Sequence, residues 1–303
     1  MSSGKQVVGL GELLWDMFPS GKQLGGAPAN FAYIATLLGD HGVPASRVGN
    51  DPLGREAIAR LRRVGLATEF VQTDKIHPTG TVRVELDSAG QAKFEILKSV
   101  AWDFLDWRES WKELAAKADA VCFGSLAQRS ACSRETILNF LRATRPEALR
   151  IFDVNLRQDF YSREIIESSM KLAGIVKMNH HELPIILQLF GLEQHDDVRS
   201  ATSLLERFNL KMVCLTRGNA GSMLITPAAS SEHPGFKIKI ADTVGAGDAF
   251  TAALAHKYLH GAGLAEINEH ANRVGAWVAS QRGGMPVPGA QGLTKALATV
   301  QSQ

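Results

Sequence analysis

The stretch Asp242-Thr243-Val244-Gly245-Ala246-Gly247-Asp248-Ala249-Phe250 concentrates residues able to handle a phosphate. Gly245 and Gly247 let main chain approach a ligand without side-chain obstruction. An apolar helix follows; its first amides have no partner within the helix, and its dipole is positive at that end. Together these features form a site for a phosphoryl group. Asp248 stands beside that site, where a second anion would ordinarily repel phosphate. A carboxylate there makes sense as acceptor of the proton from an attacking hydroxyl. The alternative is an acidic side chain that only satisfies the helix dipole. The helix-start position predicts an ionised Asp248 and therefore a weak base. That suits a loose phosphoryl transition state, in which the hydroxyl proton leaves late.

The elements that must position this segment follow from the apolar patterning. Strands are expected near residues 7–10, 120–123, 150–154, 174–178, 212–216 and 236–240. Helices are expected near 29–38, 53–64, 134–142, 198–208, 246–259 and 264–281, with Gly39 and Gly65 as C-terminal stops. Alternation of nearly continuous apolar strands with helices predicts an α/β fold with a mostly parallel sheet covered on both faces. Residues 68–100 break the rhythm: 81–86 and 93–97 alternate with period two around the turn signal Asp87-Ser88-Ala89-Gly90. A second irregular excursion runs from Glu12 to Gly25. The two excursions, about 12–25 and 68–100, are expected to build a small sheet that serves as a lid, a dimer contact or both. Residues 1–303 read as a single domain, with no internal repeat and no flexible linker.

Composition removes several function classes. The chain has 303 residues, 45% hydrophobic and 21% charged, with 33 Lys+Arg against 31 Asp+Glu. So balanced a charge gives no electrostatic footprint for nucleic acid or an acidic membrane. No apolar run approaches the roughly 18 residues needed to span a bilayer. Cys122, Cys132 and Cys214 are odd in number and widely spaced, which argues against a disulfide framework or zinc site. No signal peptide is visible, so a cytoplasmic location is expected. Competing motifs also fail. Gly9-x-Gly11 opens like a dinucleotide fingerprint, but its third glycine position is Leu14. Gly21-Lys22 lacks the rest of a Walker loop, and His180-His181-Glu182 lacks zinc-protease spacing. Trp102, Trp107 and Trp111 read as packing, whereas Trp15 and Phe94 come from the two lid segments and would either close over a substrate or pack the lid.

Residues 242–250 resemble the C-terminal signature of the ribokinase-like carbohydrate kinases, the PfkB family. Gly25-Gly26-Ala27-Pro28-Ala29-Asn30-Phe31-Ala32, followed by Leu38-Gly39, resembles its N-terminal signature. Both stand in the family's order, and the resemblance spans nearly the full chain. Gly9-Leu10-Gly11-Glu12 with Asp16 is similar to the family's first strand and substrate aspartate. Arg47-Val48-Gly49-Asn50-Asp51-Pro52-Leu53-Gly54 resembles its Gly-x-Asp-x-x-Gly stretch. Asn179-His180-His181-Glu182 is similar to its Asn-x-x-Glu motif, and Leu215-Thr216-Arg217-Gly218 to the segment bordering the nucleotide. The implied architecture is a three-layer sandwich with helices on both faces of a central sheet and a small β lid.

The resemblance implies an ATP-dependent kinase acting on a small sugar. Asp16, Asn30 and main chain near Gly26 would hold the sugar. Their side-chain chemistry suits hydroxyls, although Asn30 could equally cap a helix and Asp16 a turn. Asp248 would be the general base, with the amides of Gly245, Ala246 and Gly247 as anion hole. Arg157, just past a strand end, would bridge the sugar and the transferring phosphoryl or form a surface ion pair. Asn179 and Glu182 would hold Mg2+ through waters, or cap a helix, or both. Thr216, Gly218, Asn272 and Gly275 would border the nucleotide. A potassium ion would lie near Asp242, the Val244 carbonyl and main chain around Ala279 and Gly283. The Gly-Gly-Ala-Pro-Ala-Asn form resembles fructokinases, so D-fructose phosphorylated on its 6-hydroxyl is expected first and 2-keto-3-deoxygluconate second. A catalytically silent sugar sensor on the same fold predicts loss of Asp248 or the glycines, and all are present. The exposed edges of a lid hairpin further predict a homodimer.

Overall fold

The computed structural model describes residues 4–19, 21–86, 92–289 and 292–300, without the side chains of 84–86 and 92–94. The turn at 87–90 and the Phe94 side chain therefore lie outside the described residues. The chain opens with strands β1 (Gln6–Leu10), β2 (Leu14–Phe18) and β3 (Gly21–Gly25) and helix α1 (Ala27–Leu37). Next come β4 (His41–Gly49), α2 (Pro52–Arg63), β5 (Val71–Asp74), β6 (Gly80–Leu86), β7 (Ala92–Ile96) and α3 (Glu109–Lys117). The middle of the chain alternates β8 (Ala120–Gly124), α4 (Ala131–Ala143), β9 (Leu149–Asp153), α5 (Arg163–Leu172), β10 (Ile175–Asn179), α6 (Glu182–Phe190), α7 (Asp197–Phe208) and β11 (Met212–Thr216). Then follow β12 (Ser222–Ile225), β13 (Ser230–His233), α8 (Ala246–Leu259), α9 (Leu264–Ala279) and α10 (Gly292–Ala298).

Nine strands form the main sheet in the order β13-β12-β11-β10-β9-β8-β1-β4-β5. Pairing is parallel from β11 across to β5 and antiparallel at β11/β12 and β12/β13. Successive residues of each parallel strand point to opposite faces. Val8, Val121, Phe152, Val176 and Val213 pack with α3 to α7 on one face. Val7, Ala120, Ile151, Ile175 and Met212 pack with α1, α2, α8 and α9 on the other. Burial on both faces explains why these strands are nearly unbroken apolar runs. The expected three-layer α/β architecture is therefore present.

The two excursions meet as expected in a small sheet, order β3-β2-β6-β7. Residues 71–74, inside the span expected for the lid, instead join the main sheet as edge strand β5 beside β4. Another expectation fails at 236–240. Only Phe236 makes an isolated bridge there, and Ile240 is exposed. The apolar alternation marks a chain crossing the surface, tied down by the Ala241 and Asp242 amides donating to the Ala279 carbonyl. Strands β12 and β13 occupy that edge. Trp15, on β2, is fully buried, and its indole donates to the Leu53 carbonyl at 3.0 Å, so it packs the small sheet onto the core. Among the described residues no helix is long and apolar enough to cross a membrane.

Candidate active site

The strand order reverses beside β1, whose neighbours are β4 and β8. In open parallel sheets a crevice forms there, outside the carboxyl ends of the strands. A cleft opens at that point, lined by Pro28, Phe31, Gly124, Asp153, Asn155 and Asp248. Helices α1 and α8 both aim their N-termini at it. Gly9 and Gly42 bring α1 down onto the sheet: a Cβ on Gly9 would lie 1.9 Å from the Pro28 carbonyl, and one on Gly42 the same distance from that of Ala32. Gly275 does similar work for α9, where a Cβ would approach the Ala246 carbonyl to 3.1 Å.

Gly245 is the N-cap of α8 at φ 78°, a conformation L side chains rarely adopt. A Cβ there would also meet Gly284 Cα at 2.3 Å. The glycine therefore permits both the turn and the close passage of the 284 main chain. Gly247, two residues on, would place a Cβ 3.0 Å from Lys177 Nζ. The start of α8 thus combines amides, a positive helix end and a buried ammonium, a strong anion site.

Asp248 faces this site and accepts a hydrogen bond from Asn30 Nδ2 at 2.8 Å. Burial, followed by the negative charge of Asp153, pushes its pKa up to about 6, against the opposing influence of Asn30, Lys177 and Arg157. The expectation of a weak base is therefore corrected. Burial and Asp153 outweigh the Asn30 hydrogen bond and the two cations, and Asp248 holds a proton more readily than a surface aspartate.

Lys177 and Asp153 were not anticipated as site residues. Lys177 Nζ contacts both Asp153 carboxylate oxygens at 3.1 Å. Burial alone would lower the lysine pKa, but Asp153, Glu182 and Asp248 outweigh it and hold the ammonium charged. Thr251 Oγ1 also donates to Asp153 at 3.2 Å. The signal was available: a single lysine inside the apolar strand Ile175-Val176-Lys177-Met178 has to find a buried partner. Glu12, which the sequence marks only as the end of Gly9-Leu10-Gly11-Glu12, is a further buried carboxylate here. Burial raises its pKa to about 7, with Asp248 adding to the rise. Its Oε2 is buried without a hydrogen-bond partner among the described residues.

Asp16, on β2, lies against Gly25, where a Cβ would come within 2.7 Å of its Oδ2. Burial and then Asp242 raise its pKa to about 6. Gly26 adopts φ 112° and would place a Cβ 2.4 Å from the Glu12 carbonyl. Arg157 is exposed and donates to the Leu156 carbonyl at 3.0 Å, yet its charge reaches Glu12, Asp16 and Asp248 and favours their ionised forms. Of these residues Asp248 lines the cleft, Asn30 is hydrogen-bonded to it, Gly26 packs on the Glu12 carbonyl, and the charge of Arg157 reaches Asp16 and Asp248.

Asn179 ends β10, and its Oδ1 accepts from the His181 and Glu182 amides. Glu182 accepts from the Leu156 and Asn179 amides, both at 2.8 Å. With both carboxylate oxygens engaged, the pair suits a metal reached through water better than direct ligation. Thr216 ends β11, and Gly218 turns at φ 60° just beyond it. Asn272 is buried, with Nδ2 donating to Ser222 Oγ at 2.7 Å and to the Asn268 carbonyl. Asp242 accepts from the Val244 and Gly283 amides, and the Ala279 carbonyl accepts from Ala241 and Asp242, so these five residues form one knot behind Gly245.

A sequence profile of the pfkB family of carbohydrate kinases matches residues 18–289. An uncharacterized sugar kinase from Pyrococcus horikoshii is 31% identical, over 93% of this chain and 92% of its own. Its structure in complex with ATP superposes with a TM-score of 0.80 at 29% identity, covering 96% of this chain and 99% of that one. A fructokinase from Klebsiella pneumoniae is 32% identical over 81% of each chain. A Vibrio cholerae fructokinase, in a form with bound fructose, ADP and calcium, superposes with a TM-score of 0.80 at 25% identity, over 98% of this chain and 99% of that one.

Proposed function

Because the chain belongs to the PfkB family of carbohydrate kinases, we propose that it transfers the γ-phosphoryl group of ATP to the primary 6-hydroxyl of D-fructose. The observation that carries this reading is the convergence of Asn30 and Asp248 at the glycine-cleared N-terminus of α8. ATP in one relative's structure, and fructose with ADP in another, support the choice of substrates.

The sugar lies between the small sheet and α1, held by Asp16, Asn30 and the Gly26 main chain. Asn30 Oδ1 is buried and without a partner among the described residues, so it is free to accept from a hydroxyl. The sugar oxygen attacks the γ-phosphorus in line as the bond to the bridging oxygen breaks, and Asp248 takes the hydroxyl proton. The amides of Gly245, Ala246 and Gly247, backed by Lys177, stabilise the charge on the equatorial oxygens. Arg157 draws the sugar and the phosphoryl group together from the open side. Thr216, Gly218, Asn272 and Gly275 border the nucleotide. Glu182 and Asn179 would hold magnesium, which would supply positive charge to neutralise the triphosphate. A potassium site at Asp242, Val244 and Gly283 would require the Ala279 carbonyl to release one of its two amide donors. The open edges β3 and β7 of the small sheet are where a second copy would pair, making a homodimer. Light scattering that gives a monomer at micromolar concentration overturns that contact.

The test is a sugar panel with ATP, read by coupled ADP release, on wild type and Asp248→Asn. Fructose is expected to be turned over fastest, and Asp248→Asn to fall by about 10²- to 10⁴-fold. A faster reaction with 2-keto-3-deoxygluconate, whose carboxylate Arg157 would attract, overturns fructose as the substrate. Undiminished turnover in Asp248→Asn overturns the base.

A further inference from the structure

At the far end of α8, away from the phosphate site, a second group of ligating side chains converges. Asp40 stands in the turn between α1 and β4, buried; His256 lies in the last turn of α8 and His260 is its C-cap. Asp40 Oδ2 is 2.8 Å from His256 Nδ1, and Asp40 Oδ1 is 3.9 Å from His260 Nε2. One ligand atom from each of the three lies within 4.8 Å of the others. Ligands around a tetrahedral ion with bonds of about 2.0–2.1 Å stand about 3.3 Å apart, so small side-chain shifts suffice.

Protonation supports the same reading. His260 Nδ1 lies 2.7 Å from the His256 carbonyl. A carbonyl only accepts, so Nδ1 carries the proton and Nε2 presents its lone pair toward Asp40. A histidine oriented by donating its other nitrogen to main chain is the usual arrangement at a metal. Asp40 is fixed in turn by the Lys5 amide at 3.3 Å. A third imidazole, His270, lies 6.3 Å from the His256 ring and keeps a buried Nε2 without a partner among the described residues. The ammonium of Lys257, beside His256 in sequence, is paired with Glu266 at 2.7 Å.

We propose that Asp40, His256 and His260 bind one zinc-class divalent cation, with water as fourth ligand. Two imidazoles and a carboxylate with one open position are a ligand set that Zn2+ takes readily. On binding, the ion replaces the proton between His256 Nδ1 and Asp40; that proton moves to Nε2 or to solvent. His256 lies two turns of helix, about 12 Å, from Asp248, so the site is separate from phosphoryl transfer. It clamps the turn after α1 to the end of the helix that carries the base.

The experiment titrates metal-stripped full-length protein with ZnCl2 by calorimetry and follows its melting. Wild type is expected to bind one Zn2+ more than His260→Ala or Asp40→Asn under the same conditions, or to bind it about 10- to 100-fold more tightly. At a hundredfold excess over Kd, Zn2+ should raise the wild-type Tm by roughly 5 °C and leave His260→Ala unmoved. His260 is at the surface, so its variant should melt like wild type without metal. Equal stoichiometry and affinity in wild type and both variants, or no uptake by wild type, overturns the proposal. Neither readout depends on which sugar is phosphorylated.

Discussion

Asn30 Nδ2 donates to Asp248 Oδ2 across 2.8 Å, joining two motifs separated by 218 residues. Asn30 is wedged there: a Cβ on Gly284 would lie 2.5 Å from its Nδ2. Helix α1 therefore fixes the orientation of a carboxylate that belongs to α8. The bond favours the ionised form and offsets part of the rise that burial imposes on Asp248.

Asn30→Ala should consequently move the acid limb of the kcat profile to higher pH, because the carboxylate loses its stabilising donor. A hydrogen bond to a charged group contributes about 1.5–3 kcal/mol, so kcat/KM should drop roughly 10- to 150-fold. A pH–rate series on both proteins checks this. An acid limb that stays in place would mean that the bond only packs the helices.

Asp248→Asn should remove activity and yet stabilise the ligand-free protein at pH 8. A carboxyl whose folded pKa is raised contributes stability below its unfolded pKa and loses that contribution as pH rises through the folded value. For Asp248 the window runs from the ordinary 3.8 to about 6. Above it the buried charge costs about 2–3 kcal/mol, which a neutral Asn avoids while still accepting from Asn30. Glu12 and Asp16, raised to about 7 and about 6, act with the same sign. Thermal melts at pH 5 and pH 8 should show a larger Tm gain for Asp248→Asn at the higher pH.

The sheet and the glycine-cleared start of α8 were legible because they rest on local signals. Apolar strands buried on both faces are continuous runs, and glycines beside a helix start mark where main chain approaches a ligand. Strand β4 was invisible because Gly42 and Pro44 both disfavour strands, and the need for Gly42 appears only when α1 packs on it. The segment 236–240 failed the opposite way: its alternation is real, but beyond the isolated bridge at Phe236 no strand among the described residues pairs with it. The pKa of Asp248 could not be read because it depends first on burial by packed elements and then on Asp153, nearly a hundred residues away in sequence.

Lys177→Met should be costly, and a second change should show why. Removing one partner of a buried pair leaves an uncompensated charge, worth about 3–5 kcal/mol. Adding Asp153→Asn neutralises that charge and should recover more than half of the loss in denaturant melts. Activity should stay low in both, because the ammonium beneath Gly247 is gone. Recovery of turnover in the double variant would show that Lys177 serves only to neutralise Asp153.

Gly245→Ala and Gly191→Ala should separate backbone strain from the demands of the anion site. Both glycines have positive φ, 78° at the start of α8 and 64° at the C-cap of α6. A methyl on Gly191 meets open space, whereas one on Gly245 meets Gly284 Cα at 2.3 Å. The left-handed conformation alone costs about 1–2 kcal/mol, so Gly191→Ala should melt slightly earlier and keep wild-type turnover. Gly245→Ala carries the same strain plus a clash between two main chains, and relief requires the first turn of α8 to move. An anion hole displaced by even 1 Å loses about 10²-fold in rate. Turnover within a few fold of wild type in Gly245→Ala would show that the amides beyond Gly245 do not stabilise the transferring group.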